Sequence, residues 1–216
     1  MLAIMSDHPV LVHVHDPMCS WCWGFRPAFE RLLTLLPPSI QLRQLLGGLA
    51  PDSDEPMPEA MRRYLQDTWR RIQQRIPGTE FNFDFWKRCQ PRRSTWPACR
   101  AVIAARNLDP AAEAPMIQAI QNAYYREARN PSDDDTLIAL ASEIGLPRER
   151  FVTQLNATAT QQALEAEIAE ARQLGADSFP TLILQLPDGG RWRIPVDYTA
   201  PGAMHALIVE LVADRY

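Results

Sequence analysis

Lysine is almost absent from this chain: of 22 basic residues only Lys87 is a lysine, and 26 acidic residues leave a formal net charge of −4. A basic footprint of the kind that binds nucleic acid is lacking, so no nucleic-acid partner is expected. Long apolar runs are lacking too. No stretch approaches the ~20 residues needed to cross a bilayer, and no membrane partner is expected. The opening segment, Met1 to Val10, carries Asp7 and His8 and has no basic n-region. It does not read as a secretory leader, which makes a cytoplasmic location the expectation. Four cysteines in 216 residues are too sparse to staple a small disulfide-dense fold. What remains is an ordinary globular composition, 46% hydrophobic, long enough for one substantial core or for one domain carrying a large insertion.

The chemistry is concentrated in Asp16-Pro17-Met18-Cys19-Ser20-Trp21-Cys22-Trp23-Gly24. Val10 to His15, just before it, is β-branched and apolar and reads as a buried strand. After it, Phe25, Phe29, Leu32, Leu33 and Leu36 form a helical stripe that Pro37-Pro38 stops. A Cys-x-x-Cys pair between a strand and the first turn of a helix places its first cysteine against unsatisfied helix N–H groups and the positive end of the dipole. Cys19 is therefore the expected nucleophile, with a pKa well below the free value of about 8.5. Cys22, one turn inside the helix, would be less exposed and placed to resolve a mixed disulfide formed by Cys19.

Taken in order, Ile40 to Leu46 reads as a second strand broken by Gly47-Gly48. Met57 to Ile76 has apolar residues at three- and four-residue steps and reads as an amphipathic helix, while Phe81 to Trp86 alternates like a short strand or extended loop. Helices are expected over Trp96–Arg106, Ala111–Ala128, Asp133–Ile144, Arg148–Leu155 and Thr160–Leu174, with Ser132 and Asp135 punctuating one start. Thr181–Leu186 and Arg191–Ile194 flank Pro187-Asp188-Gly189-Gly190 as a hairpin, and Pro201–Ala213 closes as a helix. The order is βαβ, a helical block, ββ and α. The reading is an α/β domain over residues 1–48 and 176–216, with residues 49–175 inserted as a helical domain.

Other signals are weaker. Cys19 and Cys22 with Cys89 and Cys99, or with His13 and His15, are conceivable zinc ligands, but Cys89 and Cys99 lack a knuckle spacing and redox chemistry is the better reading. His13 and His15 share a strand face; buried histidines satisfied by hydrogen bonds are favoured over a proton relay, in which His15 would be the modulating residue. Trp21 is expected to be partly exposed and to touch substrate, and Trp23 to be core. Arg62, Arg63, Arg70, Arg71, Arg75, Arg88, Arg92 and Arg93 make the early helical block basic, by default a solvated face, with an acidic thiol or client as the alternative.

The stretch Asp16 to Phe25, together with Ser178-Phe179-Pro180-Thr181, resembles the DsbA-like branch of the thioredoxin superfamily, and within it the FrnE-type predicted protein disulfide isomerases. The resemblance spans essentially the whole chain. It implies a thioredoxin fold with a large all-helical insertion, and a cis Phe179-Pro180 bond facing the dithiol, where the Phe179 backbone would pair with a substrate strand. It also implies a thiol-disulfide oxidoreductase or isomerase acting on protein or peptide thiols and disulfides. No cofactor beyond the redox-active dithiol is then expected, with glutathione as the candidate small-thiol partner. A glutathione-dependent isomerase or transferase of the kappa or hydroxychromene carboxylate isomerase type is the alternative, against which Cys22 argues.

Overall fold

The computed structural model describes residues 7–213, so the reading of the leader segment at Met1 to Ser6 lies outside the described residues. Strand β1 (Val10–His15) leads into helix α1 (Ser20–Leu35) and strand β2 (Gln41–Leu46). Helices α2 (Glu59–Arg75), α3 (Phe85–Arg88, a single turn), α4 (Trp96–Leu108), α5 (Glu113–Tyr125), α6 (Asp134–Glu143), α7 (Arg148–Leu155) and α8 (Thr158–Gln173) follow. Strands β3 (Thr181–Gln185) and β4 (Arg191–Ile194) and helix α9 (Pro201–Ala213) complete the chain.

The sheet order is β2-β1-β3-β4, with β1 parallel to β2 and antiparallel to β3, and β3 antiparallel to β4. Because side chains alternate across a strand, β1 serves two layers. Leu11 joins Phe25, Phe29 and Leu32 of α1, and Met204 and Ile208 of α9, on one face. Val12 and Val14 meet Leu45, Ile183 and Ala171 of α8 on the other. The free edge of β2 is partly covered, since Glu167 of α8 accepts a hydrogen bond from Leu46 N at 2.8 Å and also pairs with Arg106. This is a thioredoxin fold with a mixed sheet, flanked by helices and carrying a block of further helices between β2 and β3.

Three local readings need correction. Phe81 to Trp86 is not a strand: Asn82 Oδ1 accepts from Asp84 N at 3.0 Å, an Asx turn that starts α3 instead. The run from Ala111 to Ala128 is shorter as an α-helix, because Asp109 caps a 3₁₀ turn at Pro110–Ala112 and Ala128 turns into the left-handed region at φ 54°. Ser132 does not cap α6. Its hydroxyl donates to Ser94 O at 2.6 Å, tying the start of α6 to the segment before α4.

The helical block has its own aromatic core, centred on fully buried Trp69. Its ring stacks on Phe81 at 4.8 Å and meets Trp86, Tyr124 and Tyr125 at 4.9–5.7 Å. Its indole N–H donates to Ser20 Oγ at 3.0 Å, so the block is tied to the first residue of α1, beside the cysteine pair. Trp69→Ala is expected to cost about 3–5 kcal/mol in urea unfolding. Tyr64→Ala, on the exposed side of the same helix, should stay within about 0.5 kcal/mol.

Candidate active site

The turn after β1 sets the cysteine geometry. Asp16 O accepts from Cys19 N at 3.0 Å, and Asp16 Oδ1 accepts from Met18 N at 2.8 Å, an Asx turn that ends the strand and aims the chain into α1. Cys19 is the N-cap residue, extended at φ −78° and ψ 116°, and its carbonyl accepts from Trp23 N at 3.0 Å. Cys22 lies one turn further along, inside the helix. Both are buried, at 6% and 4% exposure, so neither is the more open thiol by any useful margin. Burial pushes the Cys22 thiol well up, and the neighbouring Cys19 sulfur pushes it further. Cys19 Sγ makes no capping bond to the N–H groups of α1, contrary to expectation. As a thiol it donates instead to Phe179 O at 3.5 Å.

That carbonyl is presented by a cis Phe179–Pro180 peptide bond. Gly47 N donates to His15 O at 2.7 Å, holding the end of β2 beside the end of β1, and the Phe179 ring settles directly over Gly47. A β-carbon there would lie 2.1 Å from the ring, so only glycine leaves Phe179 its place. Trp21 is half-buried and stands 5.4 Å from the ring of Tyr198. The Arg75 guanidinium of α2 reaches both rings, at 5.8 and 5.7 Å. Trp23 belongs to the core, stacked 5.3 Å from Tyr125 with its N–H on Glu80 O at 3.0 Å.

Sequence reasoning assigns no role to Asp16, yet its buried carboxylate organises the site. Oδ2 accepts from Thr95 Oγ1 at 2.6 Å, Leu49 N at 2.8 Å and Cys99 Sγ at 3.5 Å. Burial raises its pKa, and the hydrogen bonds from Thr95, Leu49, Met18 and Cys99 oppose that rise. The available signal was local: an Asp before a Pro where a strand ends initiates a turn. Nothing in the sequence points to Tyr198 or Gly47. Cys99 is buried on Asp16, Cys89 Sγ donates to Ala128 O at 3.1 Å, and all four cysteines are unpaired. Among the described residues no three His, Cys, Asp or Glu side chains are arranged around a common metal position.

His13 and His15 do share a face, stacked 4.8 Å apart, with His13 lying 4.1 Å from the Phe29 ring. Burial lowers both pKa values, that of His15 to about 4, so both imidazoles are neutral near pH 7. The expectation that hydrogen bonds satisfy them fails in part: His13 Nδ1 is 3.4 Å from Gln44 Oε1, but the Nε2 atoms of both rings have no partner.

Comparison with known proteins agrees with this geometry. Residues 13–186 match the family model described as Thioredoxin. A protein disulfide isomerase candidate from Nitrosomonas europaea superposes with a TM-score of 0.84 at 26% identity, over 97% of this chain and 100% of that one. The cytosolic disulfide reductase DsbM from Pseudomonas aeruginosa superposes at 0.76 and 25% identity, over 94% and 98% of the two chains, and has also been solved with GSH. Among curated proteins, the ClpXP adapter protein SpxH of Halalkalibacterium halodurans is 23% identical over 172 residues, 78% of this chain. The chain spans only 56% of that relative's length.

Two measurements test the geometry. Asp16→Ala strands the donors of Leu49, Thr95 and Met18, and the loss should exceed about 3 kcal/mol in urea unfolding. For His15 the folded pKa of about 4 lies below the unfolded value of about 6.5, so the unfolded chain binds more protons between them. Stability is therefore lost as pH falls through that window, by about 2 kcal/mol between pH 7 and pH 5 from His15 alone. Asp16, raised by burial, works in the opposite sense. Urea unfolding of His15→Gln at both pH values should show a flatter profile than wild type by about that amount.

Proposed function

We propose that this chain, which belongs to the thioredoxin family, is a thiol-disulfide oxidoreductase whose dithiol is Cys19 and Cys22. The observation that carries the reading is the approach of Cys19 Sγ to within 3.5 Å of the carbonyl that precedes a cis proline, with Cys22 beside it at the start of the same helix. The Phe179 carbonyl receives the Cys19 S–H in the resting dithiol, and a client strand would take its place as hydrogen-bond partner. Trp21 and Tyr198 offer such a strand an aromatic flank. Arg75 adds a positive edge that suits the carboxylates of glutathione or of an acidic client.

In the reductive direction the Cys19 thiolate attacks one sulfur of a client disulfide. The Cys19–client bond forms, the client bond breaks, and the second client sulfur leaves as a thiolate. Cys22 then loses its proton and attacks Cys19 Sγ, which closes the Cys19–Cys22 disulfide and releases the reduced client. Two electrons pass from the dithiol to the client, and two molecules of a thiol such as glutathione, leaving as their own disulfide, restore the dithiol. The reverse sequence oxidises, and alternation of the two isomerises. A cytoplasmic setting, in keeping with the cytosolic DsbM relative, suits the reductive direction.

The glutathione-dependent isomerase or transferase alternative is not favoured, because it leaves Cys22, packed against Cys19, without a task. In an insulin-reduction assay with dithiothreitol, Cys19→Ser should lose the catalysed rate, while Cys22→Ser, reduced beforehand, freed of dithiothreitol and mixed with insulin, should accumulate a covalent protein–insulin adduct visible on a non-reducing gel. Equal rates for wild type and Cys19→Ser would overturn the reading. The Cys19–Cys22 potential in a glutathione buffer sets direction, with a value near about −270 mV marking a reductant and one near −120 mV an oxidant.

A further inference from the structure

Between β1, β2, α1 and α5 lies a cavity of about 190 Å³, open to solvent where Glu30, Leu42 and Gln118 are exposed. Its walls are largely apolar: Phe25, Phe29 and Leu33 come from α1, Leu42 from β2 and Ile117 from α5. Among the lining residues are four polar atoms without a hydrogen-bond partner, His13 Nε2, His15 Nε2, Gln121 Oε1 and Arg26 Nη1. His13, His15 and Gln121 are only 6%, 2% and 3% exposed. Bare buried polar atoms are rare, because each gives up its hydration without a replacement bond. Water alone would leave the apolar walls uncovered, and a dry cavity of about 150 Å³ lined by Leu, Ile and Phe is already roomy enough for benzene. The occupant that suits both parts has an apolar ring and one polar end.

The character of that end follows from the atoms it would meet. His13 Nδ1 lies 3.4 Å from Gln44 Oε1, which can only accept, so Nδ1 carries the imidazole proton and Nε2 keeps a lone pair. Gln121 Oε1 is also an acceptor, whereas Arg26 Nη1 is a donor. One group that donates to either acceptor and accepts from the guanidinium is a hydroxyl. Charge narrows the choice further. Arg26 and Glu30 are paired at 3.1 Å, β2 and α5 contribute only uncharged side chains, and burial keeps both imidazoles neutral near pH 7. A carboxylate or an ammonium group would enter without a counter-charge. The rings of Phe25 and Phe29 are 5.7 Å apart and His13 lies 4.1 Å from Phe29, an aromatic wall that suits a flat ring.

We propose that this cavity is a binding site for a small neutral phenol, its ring against Phe25, Phe29 and Ile117 and its hydroxyl among His13 Nε2, Gln121 Oε1 and Arg26 Nη1. The site is distinct from the client surface at Phe179, Trp21 and Tyr198, and filling it involves no redox step. Cys22 is the lining residue that also belongs to the dithiol.

NMR titration of isotope-labelled, reduced protein at pH 7 with phenol, toluene and cyclohexanol tests the assignment. Phenol should give saturable amide shifts at lining residues such as Gln44 and Ile117, with a Kd on the order of 1 mM or below. Toluene keeps the ring without the hydroxyl and should bind about tenfold more weakly, the fold-change of one net hydrogen bond. Cyclohexanol keeps the hydroxyl without the aromatic faces and should also bind more weakly than phenol. Gln121→Leu should bring phenol down towards toluene and leave toluene no weaker. Leu33→Trp, which fills the cavity from its α1 wall, should abolish the shifts from both. Urea unfolding checks that each variant folds, and the ranking of the three ligands on wild-type protein stands if one does not. Toluene binding as tightly as phenol overturns the proposal, as does phenol affinity unchanged in folded Gln121→Leu. Shifts that fail to saturate, or that persist in folded Leu33→Trp, overturn the site itself. None of these outcomes bears on the oxidoreductase reading, which insulin reduction tests separately.

Discussion

The site depends on one buried carboxylate. Asp16 sits at the end of β1 with no exposed surface and receives donors from three separate pieces of chain: its own turn through Met18, the loop after β2 through Leu49, and the entrance of α4 through Thr95 and Cys99. Removing a charge from water costs several kcal/mol unless hydrogen bonds replace the lost hydration, so the three segments are held where they can supply them. The start of α1, and the two cysteines on it, inherit their position from that clamp. Trp69 adds a second tie between the helical block and α1 through Ser20.

With α1 so fixed, the two sulfurs face different surroundings. Cys19 looks toward the Phe179 carbonyl and the aromatic flank of Trp21 and Tyr198, where a client would lie. Cys22 instead lines a largely apolar cavity together with Phe25, Phe29 and Leu33 of α1 and Ile117 of α5. Gly47 completes the front side by leaving room for the Phe179 ring, which in turn places the carbonyl.

The helices between β2 and β3 do more than decorate the sheet. α2 brings Arg75 to the rim of the site, the entrance of α4 brings Thr95 and Cys99 to Asp16, and α5 brings Gln121 to the cavity behind Cys22. Of the other arginines of the early block, Arg63 pairs with Glu59, Arg70 with Asp67, Arg62 donates to Trp86 O, and Arg92 reaches Asp133 and Ser132 O. These four are paired surface or packing groups, whereas Arg75 reaches the Trp21 and Tyr198 rings.

The features legible in the order of residues are local in origin. Strand period, helix stripe, proline and glycine stops place β1, β4, α7 and α9 to the residue, and the Cys-x-x-Cys at a strand–helix junction marks the candidate pair. His13 and His15 on one face follow from the two-residue period of a strand alone. What those residues meet is set by the folded chain. Asp16 finds Thr95 and Cys99 79 and 83 residues away, and Cys19 finds Phe179 160 residues away. The Nε2 atoms of His13 and His15 are left without a hydrogen-bond partner where α1, β2 and α5 meet around them. A residue's period and propensity are set by its near neighbours, whereas burial, partner and pKa are set by whatever the fold brings alongside, and no spacing rule encodes that.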